Sequence, residues 1–461
     1  MFKKYFGSKE FELNALKVGL PIMLQGLFSS CINLIDNVMV GQFGDLAISG
    51  VAAGNRFYMI ATFGMSGLLG AASIFLAQFY GAKDEEHMKQ TFRYMLTSVL
   101  VLIIPVTIIG FMFPSEIIGF FTKDITTIEM GTVYLRAVII SFIPFAISLC
   151  ISNAMRVTGD TKTPFVVTSI AIMTNVVGNY VFMFGFMSIP AVGVVGAAYG
   201  TVLSRLVEVT LFLATMALKP RSFATKVTAI LKQDINLVKN ITIKAIPLVV
   251  NEVLWSAGMA TLFKFYGSRG PEVIAGYSVA GTCSDLFFTL FGGMATATTV
   301  MISHHLGAQE IEKAKENGYH MIGFSLKCGL VFACVMFASS FVFPNFYNIS
   351  PEGKELTVHF IQTMSVFYLL YMANAQFYFI LRAGGEMKLT FLMDSLYMWC
   401  VNIPFVALFT YFTDVNIFLL YVIGQSTDIP KLVLAFILVR KETWLKNLTQ
   451  DEAVIIEEQL S

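Results

Sequence analysis

Apolar runs of about 20 residues or more recur along this chain, and each is long enough to cross a bilayer as a helix. Twelve can be counted, over about 14–40, 47–80, 92–113, 129–155, 165–187, 193–217, 240–265, 273–305, 317–343, 357–381, 389–411 and 416–440. Several exceed the minimum and must tilt or reach past the hydrocarbon core. Without water, only helices and closed barrels satisfy every backbone polar group. Barrel strands alternate with a period of two, whereas these runs are continuously apolar. The chain therefore reads as an all-α membrane protein with twelve transmembrane helices. Its charge agrees: 13% of the 461 residues are charged, about half the share of a soluble domain, and mean hydropathy is +0.71.

The N-terminal stretch "MFKKYFGSKEFELNALKVGLP" carries basic residues before its apolar run. Glu10 and Glu12 interrupt it, and the run then passes signal-peptide length without a small-residue cleavage site, so it reads as an uncleaved first helix. The six cysteines, Cys31, Cys150, Cys283, Cys328, Cys334 and Cys400, lack metal-ligand spacing and read as small buried hydrophobes.

Lysine and arginine concentrate on alternate connections. One set holds Lys3, Lys4 and Lys9, then Lys83, Lys89 and Arg93, and continues through Arg156 and Lys162, the 219–239 stretch, Lys313 and Lys315, and Arg382 and Lys388, to Arg440, Lys441 and Lys446. The other set holds little beyond Lys123, Arg269 and Lys354. The basic set marks the inside, which places both termini in the cytoplasm. The expected location is a prokaryotic plasma membrane, crossed many times.

A shift of 226 residues lays Pro21 on Pro247, Gly41 on Gly267, Gly50 on Gly276 and Gly67 on Gly293. It also lays "YGAKDEE" (80–86) on "LGAQEIE" (306–312) and "RVTGDTK" (156–162) on "RAGGEMK" (382–388), without a gap from Pro21 to Lys162. Coincidence in a Leu/Val/Phe-rich chain would not fall on Gly, Pro and Arg at helix ends, so the chain is a duplication. The expected organisation is an N-terminal lobe (1–217), a linker with a surface helix (218–239) and a C-terminal lobe with a cytoplasmic tail (240–461). Six helices per copy make the repeats parallel, related by an axis along the membrane normal. A cleft between two such lobes is the substrate path expected by fold analogy.

Several stretches together resemble the multidrug and toxic compound extrusion (MATE) transporters: "DNVMVGQFGDLAISGVA", "AQFYGAKDEE", "RVTGDTKTP", "TNVVGNYVFMFG", "GVVGAAYGTVLSR" and "IPLVVNEVLWSAG". The likeness spans about 12 to 440. It implies the two-lobed fold of the MATE and MOP superfamily. It also implies secondary export of amphipathic, often cationic compounds in exchange for Na⁺ or H⁺, by rocking of the lobes. The implied partners are the lipid bilayer and small amphipathic drugs or toxins. No nucleic acid, enzymatic activity or cofactor is expected beyond the coupling ion, and a monomer should suffice.

Ionisable groups inside a membrane point to function. Asp36 lies five residues before Gly41, roughly 8 Å from the end of the first run at ~1.5 Å per residue. Asn175 and Asn179 are spaced i, i+4 and share a helix face, and Thr201 in the sixth run lies at similar depth. One carboxylate, two amides and a hydroxyl are hard oxygen donors suited to a hard cation. The same four positions match the N-lobe cation site that the resemblance implies. A single acid among neutral oxygens favours Na⁺ over H⁺. The alternative is that Asp36 only hydrogen-bonds the asparagines and pins the lobe.

In the second copy, Glu252 and Asp285, with Trp255 one turn from Glu252, could hold a cationic substrate, form a second coupling site, or make a polar network within the lobe. Arg56 could line the cleft or reach neighbouring carbonyls. Arg205 and Glu208 form an i, i+3 pair that neutralises itself. His304 and His305 lack companion ligands for zinc. Gly residues in 156–162 and 382–388 terminate helices. A lipid-linked oligosaccharide flippase of the same superfamily is the alternative function. It would need a more basic cavity than Arg56, Lys264, Lys327 and Lys431 provide. No Walker loop or catalytic triad is visible.

Overall fold

The computed structural model describes residues 2–347 and 349–449; Met1, Asn348 and the end of the expected tail, 450–461, lie outside it, as do the side chains of Phe2, Lys3, Leu34, Asn37, Asp45, Leu46 and Val227. Among the described residues, twelve helices are long and apolar enough to cross a membrane. They are α1 (Lys9–Gly41), α2 (Asp45–Gly81), α3 (Glu85–Met112), α4 (Ile125–Val157), α5 (Lys162–Phe184) and α6 (Val195–Leu218). After the linker come α7 (Ile235–Gly267), α8 (Pro271–Gly307), α9 (Ile311–Ser339), α10 (Pro351–Ala383), α11 (Met387–Phe412) and α12 (Ile417–Arg440). α11 contains π-helical turns at Leu392–Leu396 and Met398–Asn402.

Short polar residues start many of these helices by accepting backbone N–H groups that have no partner in the first turn. Asp84 accepts from His87 at 3.1 Å, Asp124 from Thr127 at 2.7 Å, Ser350 from Gly353 at 3.1 Å and Asn416 from Leu419 at 2.8 Å. Local chemistry also moves two ends away from the expected ones. α1 begins at Lys9 because Glu10 and Glu12 sit in its first turn, where the helix dipole favours acids. α5 stops at Phe184 because Gly185 takes φ +83°. The linker holds one 3₁₀ turn, Val227–Ala229, rather than a surface helix. It is fastened along α3, with Phe223 buried against Phe92 and Arg93 Nε donating to Thr225 Oγ1 at 2.9 Å.

The chain forms two compact units. Among the described residues, one comprises 24–76 and 84–245; the other comprises 2–23, 77–83 and 246–449. In the first, α5 and α6 approach closely through small residues, as membrane helices do where dispersion drives packing. A Cβ on Gly178 would lie 3.1 Å from Gly200 Cα, and one on Gly196 would lie 2.5 Å from the Met183 nitrogen. In the second, Trp444 is buried among Ile302, Leu306, Tyr319 and Ile380, with its indole donating to Val439 O at 2.9 Å. Cysteines divide: Cys150 and Cys283 are buried, Cys328 is half-buried, and Cys31, Cys334 and Cys400 are exposed. On a membrane helix the outer face is as apolar as the core, so burial is not required of a small hydrophobe.

The repeated "RVTGDTK" and "RAGGEMK" turns end α4 and α10 through glycines at φ +91° (Gly159) and +88° (Gly385). Each turn also carries an acid that ties down the segment following the sixth helix of its repeat. Asp160 pairs with Arg221 at 2.6 Å, and Glu386, at the equivalent position, pairs with Lys446 at 2.5 Å. Arg156 points inward instead, donating to Gln25 Oε1 at 2.9 Å.

Candidate cation site

Asp36, Asn175, Asn179 and Thr201 converge in the first unit. Asn179 Nδ2 donates to Asp36 Oδ1 at 2.9 Å and to Asn175 Oδ1 at 3.3 Å. Asn175 Nδ2 donates to Thr201 Oγ1 at 3.3 Å, and Thr201 donates on to Ala197 O at 2.9 Å. The observed helix ends explain the match in depth: Asn179 is five residues from the end of α5, as Asp36 is from the end of α1.

Packing holds Asn179 in place. It is 1% exposed, and Gly200 sits so close that an added Cβ would overlap its Oδ1. That Oδ1 is buried without a hydrogen-bond partner. A buried amide oxygen left unpaired costs free energy, and a cation would recover it. Asp36 keeps its second carboxylate oxygen, and Thr201 its hydroxyl, on the same polar surface. These oxygens line a cavity of about 440 Å³ shared with Asn55, Tyr58, Tyr134 and Arg205. Tyr134 donates to Asn55 Oδ1 at 3.2 Å. Deeper in the same unit Arg205 and Glu208 pair at 2.7 Å, and Thr168 donates to the other Glu208 oxygen at 3.0 Å.

The other expected residues are not assembled in this way. Arg56 is exposed and absent from that cavity's lining. In the second unit Glu252 is half-buried, Trp255 and Asp285 are exposed, and no described hydrogen bond or ion pair joins them. Asn251 turns inward there instead of Glu252: it is 3% exposed and donates to Asp394 Oδ2 at 3.1 Å, while Lys431 meets Asp394 Oδ1 at 3.1 Å. Asn251, Asp394 and the cavity residues Asn55, Tyr58 and Tyr134 are not among the residues expected from the sequence. Asn251 and Asn55 each precede a charged residue, Glu252 and Arg56, that is the more conspicuous polar group in its run.

Twelve helices, a duplicated sequence and a lone carboxylate among neutral oxygens inside one repeat define a polytopic membrane protein of the transporter class. The chain matches the MatE family over residues 21–181 and again over 247–408, and it belongs to that family. The two matches begin 226 residues apart, the offset of the internal repeat. The chain is 24% identical over 427 residues to the "Probable multidrug resistance protein NorM" of Listeria monocytogenes, covering 92% of each. It is 23% identical over 404 residues to the "Probable multidrug resistance protein YoeA" of Bacillus subtilis, covering 86% of this chain and 87% of that one. A solved structure described as the outward-facing conformation of a multidrug resistance MATE family transporter of the MOP superfamily shares the fold. The TM-score is 0.84 at 19% identity, over 95% of this chain and 98% of that one. A MOP superfamily transporter from Pyrococcus furiosus matches with TM-score 0.86 at 18% identity, over 95% and 97%.

Proposed function

We propose that the protein is a secondary active multidrug antiporter that exports amphipathic, often cationic compounds by alternating access, with the Asp36 site carrying the coupling cation. The names of the bacterial relatives support export of drugs. A prokaryotic plasma membrane with both termini inside fits the lysine and arginine distribution. The observation that carries the coupling role is the unpartnered Asn179 oxygen beside Asp36 in a walled cavity. An ion drives exchange only through different affinities for the two conformations, and Asp36 supplies the charge on which that affinity depends. One carboxylate completed by an amide oxygen and a hydroxyl suits Na⁺ better than a proton shared between acids. Glu252, Asp285 and Trp255 are the candidates for meeting cationic drugs, and Arg56 remains a candidate lining residue. The cationic group inside the cavity, Arg205, is already tied to Glu208. A pyrophosphate-bearing lipid would find no free cation there.

The test is Asp36→Asn in proteoliposomes. The variant keeps its shape and its hydrogen bond to Asn179, so folding and drug affinity should persist. Exchange driven by a Na⁺ gradient should fall to background, with a pH gradient measured in parallel to separate the two ions. Near-normal coupled efflux would return Asp36 to a structural role.

A further inference from the structure

We infer that Lys431 is a tethered cation: its ammonium permanently fills the carboxylate site that α7, α11 and α12 build in the second repeat, so that repeat takes up no coupling ion. The inference rests on the reading of Asp36 as the coupling-ion site.

The repeat supplies the comparison. Shifted by 226, within the ungapped part of the repeat, Asp36 falls on Leu262. The second copy has exchanged that acid for hydrocarbon. Its acid lies elsewhere on the equivalent helices, since α7, α11 and α12 correspond to α1, α5 and α6. Asn251 stands eleven residues before Leu262 on α7, about 16 Å away at ~1.5 Å per residue.

The acid there is held rigidly. Ser395 N–H donates to Asn251 Oδ1 at 3.2 Å and the Ser395 hydroxyl donates to the Asn251 carbonyl at 2.7 Å. This fixes the amide whose Nδ2 reaches Asp394. Asp394 itself lies within the π-helical turn Leu392–Leu396, a deformation that collects at functional sites. Its charge differs in kind from that of Asp36. Asp36 accepts from a neutral amide, whereas Asp394 meets an ammonium at 3.1 Å on a mostly buried side chain. A buried carboxylate needs a cation, and here the chain carries its own.

A second acid interacts with that ammonium. Asp428 stands three residues before Lys431, a spacing that shares a helix face. Asn374, 5% exposed, donates to the Asp428 carbonyl at 3.1 Å, and its own Oδ1 is buried without a partner. Removing the ammonium therefore leaves the rigidly held Asp394 carboxylate without the cation it meets at 3.1 Å, open to a small hard cation from outside.

The experiment uses the full chain in three forms: Asp36→Asn, Asp36→Asn with Lys431→Met, and both with Asp394→Asn. Binding of radioactive Na⁺ and the melting temperature are followed against NaCl, with N-methylglucamine chloride holding ionic strength constant. Asp36→Asn should bind no Na⁺. Adding Lys431→Met should restore one Na⁺ per chain and a melting temperature that rises with Na⁺, and Asp394→Asn should abolish both. A folded Asp36→Asn/Lys431→Met protein indifferent to Na⁺ overturns the inference, as does Na⁺ retained by Asp36→Asn alone. Wild-type protein that binds no Na⁺ would count against the Asp36 reading and leave the gain in the double variant to be seen. If Lys431→Met does not fold, Lys431→Ala decides the matter. Ethylammonium should restore its wild-type melting curve and tetramethylammonium should not, and no rescue by ethylammonium overturns the inference.

Discussion

A Cβ on residue 200 would overlap the side-chain oxygen of Asn179 and lie 2.6 Å from its backbone nitrogen. Gly200→Ala should therefore displace the amide that meets Asp36. A stability loss of about 1–3 kcal/mol is expected from the overpacking. Melting with and without Na⁺ should also show the Na⁺-dependent part shrinking more than the rest. At Asp160, burial alone would raise the carboxyl pKa. The Thr163 N–H at 3.0 Å, its hydroxyl at 2.7 Å and the Arg221 guanidinium outweigh burial and hold it below the usual carboxylate range. A native pKa below the unfolded one gives stability that is complete above the unfolded value, near ~3.9, and is lost as pH falls through the native value. The melting difference between wild type and Asp160→Asn should be full at about pH 6 and shrink below about pH 4. A difference that stays constant with pH would remove the carboxylate from the account.

Whole elements were more legible in the sequence than the faces they present. Each of the twelve apolar runs became a helix, because a continuous apolar stretch in lipid has few other ways to satisfy its backbone. The Asp36 cluster was legible because its polar residues interrupt apolar runs, with i, i+4 spacing on α5. The α11 node was not. Successive residues on a helix point about 100° apart, so the charged Glu252 drew attention while Asn251 turned into the core. The π-helical turns of α11 also rotate Asp394 in a way that no regular periodicity predicts. At this scale the Asp394–Lys431 pair makes its own prediction. Asp394→Leu alone takes from the buried ammonium its 3.1 Å partner, leaving it only the Asp428 charge, and should cost up to about 3–5 kcal/mol, whereas Asp394→Leu with Lys431→Met should be closer to wild type. A double-mutant cycle by chemical denaturation measures the difference. Additive losses would mean that the pair is not coupled.

For the molecule as a whole, the duplication has been kept in its architecture and relaxed in its chemistry, since one copy holds an open acid and the other a closed ion pair. If drug recognition draws on the second copy, Glu252→Gln and Asp285→Asn should weaken binding of cationic drugs more than of neutral ones of similar size. Equal losses for both classes would point to structural damage. The architecture survives most plainly where α2 and α8 end. A Cβ on Gly81 would overlap the His304 carbonyl, and one on Gly307 the Gln78 carbonyl. Under the 226 shift Gly81 becomes Gly307 and Gln78 becomes His304. Residue i thus touches j while the copy of i touches the copy of j, which is the isologous contact of a two-fold homodimer. Joining the copies in one chain turns that association into an intramolecular step, and its completeness no longer depends on how much protein the membrane holds.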